Sequence, residues 1–144
     1  MYDLTRFIKA QEAYYEIALG EMKRGHKTSH WIWFIFPQLK DLGSSSTAKY
    51  YGIENLDEAK EYLTNKILRT HLLEISQTLL ELKDNNIEYI MGSSIDKKKL
   101  LSSMTLFHLA EPTCEIFTKV IKRYFDGNLD AKTINLCKDI ESFS

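Results

Sequence analysis

The feature that most constrains the fold is the return of apolar side chains every three or four residues, in segments separated by helix-capping residues. From Leu4 to Met22 apolar residues recur at this spacing with charged residues between them, and Gly25 follows. Such a pattern is typical of an amphipathic α-helix that ends at a glycine. The spacing returns in later segments, so the sequence predicts an all-α fold, a single compact orthogonal bundle of six to eight short helices over residues 1–144.

The later predicted helices are delimited by Ser, Asn, Asp, Pro and Gly residues, which favour helix ends. Pro112 is expected in the first turn of its helix. The segment IEYIM at 87–91 is β-prone, so it is predicted to be the one minor extended piece. The predicted helices are SSSTAKYY at 44–51, LDEAKEYL after Asn55, ILRTHLLEISQTLLELK after Asn65 and Lys66, KKKLLSSMTLFHL after Asp96, PTCEIFTKVIKRYF before Gly127, and AKTINLCKDI after Asp130.

Composition and charge indicate an ordinary globular domain. The 144 residues fit one domain with one core, and 19 basic against 20 acidic residues give a formal net charge of −1. That balance argues against binding nucleic acid through a global positive field. No apolar run approaches the roughly 20 residues that span a bilayer, and the N-terminus has no apolar signal segment. Because Cys114 and Cys137 are interpreted as buried thiols in a reducing compartment, we expect a cytoplasmic protein.

The most unusual stretch is SHWIWFIFPQ at 29–38, which holds both tryptophans of the chain. Trp31 and Trp33 can stack on a ligand ring, although most tryptophans are core residues. His30 precedes them and is the candidate for proton transfer or for hydrogen bonding to a ligand. The alternative is a histidine whose ring nitrogens are hydrogen-bonded to the backbone. Gln38 ends the stretch and is a candidate for orienting a ligand.

The Gly-Ser run that follows, at 43–46, is predicted to begin a helix. Backbone amides and hydroxyl groups at a helix N-terminus attract a phosphate or carboxylate, so Gly43, Ser44 and Ser45 are candidate anion ligands. The alternative is that these residues only cap the helix. The chain contains no GxxxxGK[ST] and no GxGxxG sequence, which excludes a Walker-type phosphate loop and a dinucleotide-binding fingerprint.

Hydroxyl groups and a lysine share one predicted helix. Lys99 lies on the same side as Ser102 and Ser103, three and four residues further on, and Thr105 follows. Because Leu and Phe flank these hydroxyls, they need a polar ligand or the backbone as a hydrogen-bond partner. The alternative is a set of solvated lysines beside small packing residues. The four histidines form no zinc motif, so neither a metal nor a cofactor is predicted.

Four blocks together resemble a bacterial family of unknown function that is often mislabelled calpastatin-like: FIKAQEAYYEIALGEMKRGHKTSHWIWFIFPQLKDLGSSSTAKYYGI, NLDEAKEYL, MGSSIDKKKLLSSMTLF and RYFDGNLDAKTINL. The resemblance covers nearly the whole chain, and SHWIWFIFPQ and SSMTLF are its most specific parts. It implies one mostly α-helical domain and no established activity. Where the family has a His-Pro and Gly-x-Arg turn, this chain reads NKILRTHL at 65–72. If the family's arginine is a ligand-binding charge, either His71 or Arg69 replaces it here or this chain binds a different ligand.

The sequence predicts a pocket for a small anionic ligand, best fitted by a nucleotide or an ADP-ribose-like molecule, with hydrolytic turnover left open. One alternative is a noncatalytic protein-interaction module in which the aromatic stretch is structural. Another, less favoured, is single-stranded nucleic-acid binding. No membrane association is expected. The candidate catalytic residue is His30, and the candidate ligand-binding residues are Lys27, Ser29, Trp31, Trp33, Gln38, Gly43, Ser44, Ser45, His71, Lys99, Ser102, Ser103 and Thr105.

Overall fold

The fold is known from a computed structural model, which describes the backbone of residues 1–142 and the side chains of residues 1–138. Apart from helices, these residues form a 3₁₀ turn at Lys40–Leu42 and one isolated parallel bridge between Leu39 and Ile53. The predicted all-α class is confirmed. The described helices are α1 (Thr5–Arg24), α2 (Ile32–Ile35), α3 (Ser46–Tyr50), α4 (Leu56–Thr64), α5 (Lys66–Leu80), α6 (Ile87–Met91), α7 (Ser94–Ala110), α8 (Ile116–Phe125) and α9 (Ala131–Ser142).

A row of aromatic rings joins the long helices through the core. Phe7 of α1 meets Tyr62 of α4 edge-on, with 5.3 Å between the ring centroids. Phe107 of α7 lies 5.0 Å from Tyr62 and 6.0 Å from Phe117 of α8. All four rings are buried, and each such pair adds about 0.5–1.5 kcal/mol to the stabilisation from burial. Since residues 102–107 are all buried, α7 lies at the centre of the bundle.

Side-chain caps begin several helices at the predicted places. Ser45, Asn55 and Asn65 each accept a hydrogen bond from a backbone amide two or three residues further on. Asp130 caps α9 in the same way. α1 ends at Gly25, whose φ of +80° is a left-handed conformation that favours glycine. α4 and α9 therefore begin where predicted, α3 and α5 begin within two residues of the predicted starts, and α1 ends as predicted.

The prediction that IEYIM is extended is wrong, because this segment forms α6. Asn86 caps the helix through the amide of Tyr89 at 3.1 Å, and Gly92 ends it at a φ of +86°. Ile87 and Ile90 lie three residues apart and are both buried, which is the spacing of one helix face. The local β propensity of the isoleucines is therefore outweighed by the caps and by tertiary packing.

Two other predicted helix starts are shifted. α7 begins at Ser94, and its cap is Ser93, which accepts from the amide of Asp96 at 3.0 Å, so Asp96 is not the cap. α8 begins at Ile116, which leaves Pro112 in the preceding turn. Cys137 is buried as predicted, but Cys114 is only half-buried. Within the described residues, no helix combines the length and the apolar character needed to cross a membrane.

Candidate functional site

The loop at 26–31, between α1 and α2, is held by the buried carboxylate of Glu21, which is only 2% exposed. Its Oε1 accepts hydrogen bonds from the amides of Thr28 and Ser29, at 2.8 and 2.9 Å, and from Nε1 of Trp31 at 3.0 Å. Its Oε2 accepts from the Ser29 hydroxyl at 2.5 Å. We call this segment the Glu21 loop. Four donors on one carboxylate fix its conformation.

Burial by itself raises the pKa of the Glu21 carboxyl, but the hydrogen bonds from Ser29, Thr28 and Trp31 outweigh it and lower the pKa to about 2. Glu21 is therefore an anion at neutral pH and is fully used by the fold. The sequence analysis missed this residue. The available signal was a carboxylate on the apolar face of α1, three residues after buried Ala18 and next to buried Met22.

Three of the predicted ligand-binding residues belong to this loop and have partners within the protein. Trp31 is fully buried, and Ser29 donates to Glu21 as described. Lys27 is 8% exposed; its Nζ lies 2.8 Å from Oδ2 of Asp96, donates to the Ser29 carbonyl at 2.6 Å and lies 4.9 Å from the Trp31 ring centroid. The polar groups of Lys27, Ser29 and Trp31 therefore stabilise the loop.

His30, the predicted catalytic residue, is exposed, and its side chain makes no hydrogen bond to the described residues. It lines a cleft of about 190 Å³ between the Glu21 loop and the residues that begin α7, among them Ser93. Trp33 does not line that cleft. Since His30 and Trp33 lie at different cavities, the predicted common pocket of the two residues is not formed.

Trp33 borders a small cavity of about 10 Å³, the size of one water molecule. Its indole Nε1 is buried and has no hydrogen-bond partner among the described residues. The Nζ of Lys99 lies 5.3 Å from the Trp33 ring centroid, a cation–π distance. Gln38, Ala48 and Tyr51 also line this cavity. The aromatic stretch and α7 therefore meet at Trp33, Gln38 and Lys99.

A larger open groove of about 540 Å³ adjoins this cavity. Gln38 and Lys99 line both spaces. The groove continues past Leu42 and Lys132 into a further space of about 340 Å³ beside Asn135. We call the larger space the α7–α9 groove, and it is lined by Gln38, Leu42, Ile95, Lys98, Lys99, Leu101, Ser102, Asp130, Ala131 and Lys132.

The α7–α9 groove is positively charged. Lys98, Lys99 and Lys132 form no ion pair with any described side chain. Asp130 is the one carboxylate among the described lining residues. Its Oδ2 accepts hydrogen bonds from the amide and hydroxyl of Thr133, at 3.1 and 2.6 Å, and from the hydroxyl of Ser102 at 3.3 Å. Three lysines thus face a single carboxylate that is already hydrogen-bonded within the protein.

The predicted hydroxyl residues of α7 differ in their roles. Ser102 lines the groove, and its one hydroxyl proton is shared between the carbonyl of Lys98 at 3.1 Å and Oδ2 of Asp130 at 3.3 Å. Thr105 is buried and accepts from the amide of Asp130 at 3.0 Å, which ties α7 to the start of α9. Ser103 is fully buried and its Oγ has no partner among the described residues. Of the three, only Ser102 reaches the groove.

The Gly-Ser run does not reach the α7–α9 groove. Ser45 is the cap of α3, and Ser44 is exposed beside it. Gly43 is required where the chain passes α3, since a Cβ there would lie 2.6 Å from Cβ of Ala48. The contacts of this run therefore agree with the alternative that its residues only cap the helix.

His71 and Arg69, considered as substitutes for the family's arginine, also lie away from the groove. Nδ1 of His71 bonds to Oε1 of Gln11 at 2.8 Å, and its ring stacks on Tyr15 with 3.7 Å between centroids. Burial lowers the pKa of His71. Arg69 forms two 2.7 Å hydrogen bonds with the Glu111 carboxylate. No group of His, Cys, Asp and Glu among the described residues has the arrangement of a metal site.

Comparison with known proteins identifies relatives across almost the whole length. A family model described as "Protein of unknown function (DUF1810)" matches residues 1–137. The crystal structure at 1.38 Å of the conserved hypothetical protein Rv1873 from Mycobacterium tuberculosis is 40% identical in sequence. The match covers 94% of this chain and 96% of that one, with a TM-score of 0.90. No curated protein matches the chain. Neither description states a ligand or a reaction.

Proposed function

This chain belongs to the family described as protein of unknown function (DUF1810), and we propose that it binds a small anionic ligand of the nucleotide class in the α7–α9 groove. The observation that carries the proposal is the presence of Lys98, Lys99 and Lys132 around one open groove, each without an ion-pair partner among the described residues. The phosphate of a ligand would supply the missing negative charge, because lysine binds phosphate as a point charge.

The positive charge of the groove is local. The chain as a whole has a formal net charge of −1. Two partly buried cations elsewhere have carboxylate partners, since Lys27 pairs with Asp96 and Arg69 pairs with Glu111. Lys99 is also half-buried, yet its neighbour is the Trp33 ring. A concave surface with this charge raises the local concentration of an anionic ligand.

The size and lining of the groove also fit a nucleotide. Its volume of about 540 Å³ falls in the range of roughly 300–1,000 Å³ that is usual for small-molecule sites. Leu42, Ile95 and Leu101 supply apolar surface next to the lysines. Apolar surface beside cations suits a ligand that joins a flat ring to a phosphate. The free amide of Gln38, at the Trp33 end, is available to orient that ligand.

The proposal concerns binding and assigns no reaction. A general acid or base must come within hydrogen-bond reach of the reacting group. His30, predicted for that role, lies at a separate cleft, and no histidine occurs among the described residues that line the groove. Turnover of a ligand bound beside Lys99 would therefore need a different proton-transfer group.

The alternative is a protein-interaction module in which the aromatic stretch is structural. In that case both tryptophans would be packed on all sides and His30 would be hydrogen-bonded to the backbone. Trp31 meets this expectation, but Trp33 is half-buried with an unpartnered Nε1, and His30 makes no hydrogen bond to described residues. Trp33 and His30 therefore do not meet the expectation of a purely structural role for the whole stretch.

A thermal-shift screen tests the proposal. The protein would be heated with millimolar AMP, ADP, ADP-ribose, NAD or inorganic phosphate, and with a thymidine oligonucleotide. A ligand that binds only the folded state raises the melting temperature in a concentration-dependent manner. We expect at least one nucleotide to raise the melting temperature, and we expect this increase to become smaller as salt is added. Absence of stabilisation by every mononucleotide and dinucleotide would contradict the proposal, and stabilisation by the oligonucleotide alone would favour nucleic-acid binding.

A further inference from the structure

The carboxylate of Asp130 is held in a fixed orientation at the wall of the α7–α9 groove. Its Oδ2 takes all three hydrogen bonds that reach the side chain, two from Thr133 and one from Ser102. Its backbone amide donates to Thr105 at 3.0 Å. Thr133 and Thr105 are fully buried, so the anchoring side of the carboxylate faces the protein interior.

The second oxygen of this carboxylate is available to a ligand. Oδ1 of Asp130 makes no hydrogen bond to the described residues and is not among their buried unpartnered atoms. Oδ1 is therefore not buried, and Asp130 is one of the residues that line the groove. It is an acceptor only, because an ionised carboxylate has no proton to donate.

A carboxylate oxygen beside three lysines restricts which ligand group can sit against it. A phosphate is repelled by Asp130 and attracted by Lys98, Lys99 and Lys132. An ammonium group would be attracted by Asp130 but repelled by the more numerous lysines. A neutral hydroxyl donor is repelled neither by Asp130 nor by the lysines, and it gives Asp130 a charge-assisted hydrogen bond.

Neighbouring hydroxyls on a sugar offer two such donors to one carboxylate, which is the way acidic residues recognise ribose in dinucleotide-binding proteins. Resting on the proposed function, we infer that Asp130 makes the groove selective for ribonucleotides: its free oxygen accepts from the ribose hydroxyls while the lysines hold the phosphate. The inference names the ligand class as a ribose phosphate, as opposed to a deoxyribose phosphate or phosphate alone.

Calorimetric titration of the unaltered protein with AMP and with 2′-deoxyAMP tests the inference first. We expect AMP to bind about tenfold more tightly, the effect of one well-made hydrogen bond to a charged group. The second experiment repeats both titrations with Asp130→Asn. Asparagine is also a good helix cap, and its amide oxygen can keep the bonds to Thr133 and Ser102, so its NH₂ group takes the place of the free oxygen.

In Asp130→Asn the preference for AMP should fall severalfold, since the charged acceptor for the hydroxyls is replaced by a neutral NH₂ group, and 2′-deoxyAMP should bind as well as before or better, since a negative charge is gone. Urea unfolding checks that the variant is folded. Equal binding of the two nucleotides by the unaltered protein overturns the inference whatever the variant does, and so does an undiminished preference in the folded variant; both leave the proposed function intact. Failure of both nucleotides, and of ADP-ribose, to bind the unaltered protein overturns the proposed function together with the inference.

Discussion

The Glu21 loop and the α7–α9 groove lie at opposite ends of one aromatic stretch. They differ in whether their polar groups have hydrogen-bond and ion-pair partners within the protein. At the N-terminal end, four donors converge on Glu21, and Lys27 is paired with Asp96. In the middle of the stretch, Trp33 Nε1 has no partner among the described residues, and at its C-terminal end three lysines line the groove beside Gln38 without ion pairs. The first region is complete as folded, whereas the second has unused charge and hydrogen-bonding capacity.

This difference separates residues that hold the fold from residues that are free to bind. A buried polar group without a partner costs about 1–3 kcal/mol, so the saturated bonds around Glu21 are what the fold requires. Exposed lysines cost little to leave unpaired. The candidate site therefore moves from His30 and Trp31 to Gln38, Lys99 and the start of α9.

The largest expected effect is on stability, from removal of the Glu21 carboxylate. Glu21→Ala leaves the amides of Thr28 and Ser29 and the Nε1 of Trp31 without an acceptor, so we expect a loss of about 3 kcal/mol in the free energy of unfolding, measured by urea denaturation. Glu12→Ala is the matched control, because Glu12 lies exposed on the same helix and makes no contact of this kind. A similar loss in both variants would mean that the network around Glu21 does not stabilise the fold.

Lowering the pH should weaken the same hydrogen-bond network around Glu21. The folded-state pKa of Glu21, about 2, is lower than its ordinary value of 4.5. A lowered pKa stabilises the folded state above pH 4.5, and this stabilisation is lost as the pH falls from 4.5 towards 2. Glu21→Gln cannot titrate, so we expect its unfolding free energy to fall less over this interval than that of the unaltered protein. Parallel pH profiles for the two proteins would contradict the assignment.

Local structure was largely predictable from the sequence, because caps and apolar spacing act within a few residues. Ser45, Asn55 and Asn65 begin helices as expected. The exceptions are also local: at IEYIM the capping Asn86 and the glycine at 92 decide the outcome against β propensity, and at α7 the first capping residue, Ser93, takes precedence over Asp96.

The candidate site was predictable only in part, because it is assembled by tertiary packing. Gln38, Lys99 and Ser102 were predicted as ligand-binding residues and do meet at the groove. Nothing in the local sequence marks Lys132, which reaches the groove because Thr105 of α7 holds the start of α9. His30 and Trp31 are sequence neighbours of Trp33, but the turn of α2 separates the cleft of His30 from the cavity of Trp33.

The smallest effect is expected at His30. Its side chain is exposed and makes no hydrogen bond to the described residues, so His30→Ala should change the free energy of unfolding by less than about 0.5 kcal/mol. Nucleotide affinity, measured by calorimetric titration, should also be unchanged, because His30 lies outside the groove. Loss of binding in a folded His30→Ala variant would indicate that the ligand binds at the Glu21 loop and not in the α7–α9 groove.

The most direct test of the central claim is a calorimetric titration of nucleotide into two triple variants of equal net charge. One replaces the three groove lysines, Lys98, Lys99 and Lys132, by glutamine. The other replaces Lys60, Lys66 and Lys122, which are exposed and line none of the described cavities. We predict that the first variant binds at least tenfold more weakly than the unaltered protein, a loss of about 1.4 kcal/mol or more, while the second binds within about twofold of it. Equal weakening in both variants would show that overall charge, and not the α7–α9 groove, attracts the ligand, and would contradict the account.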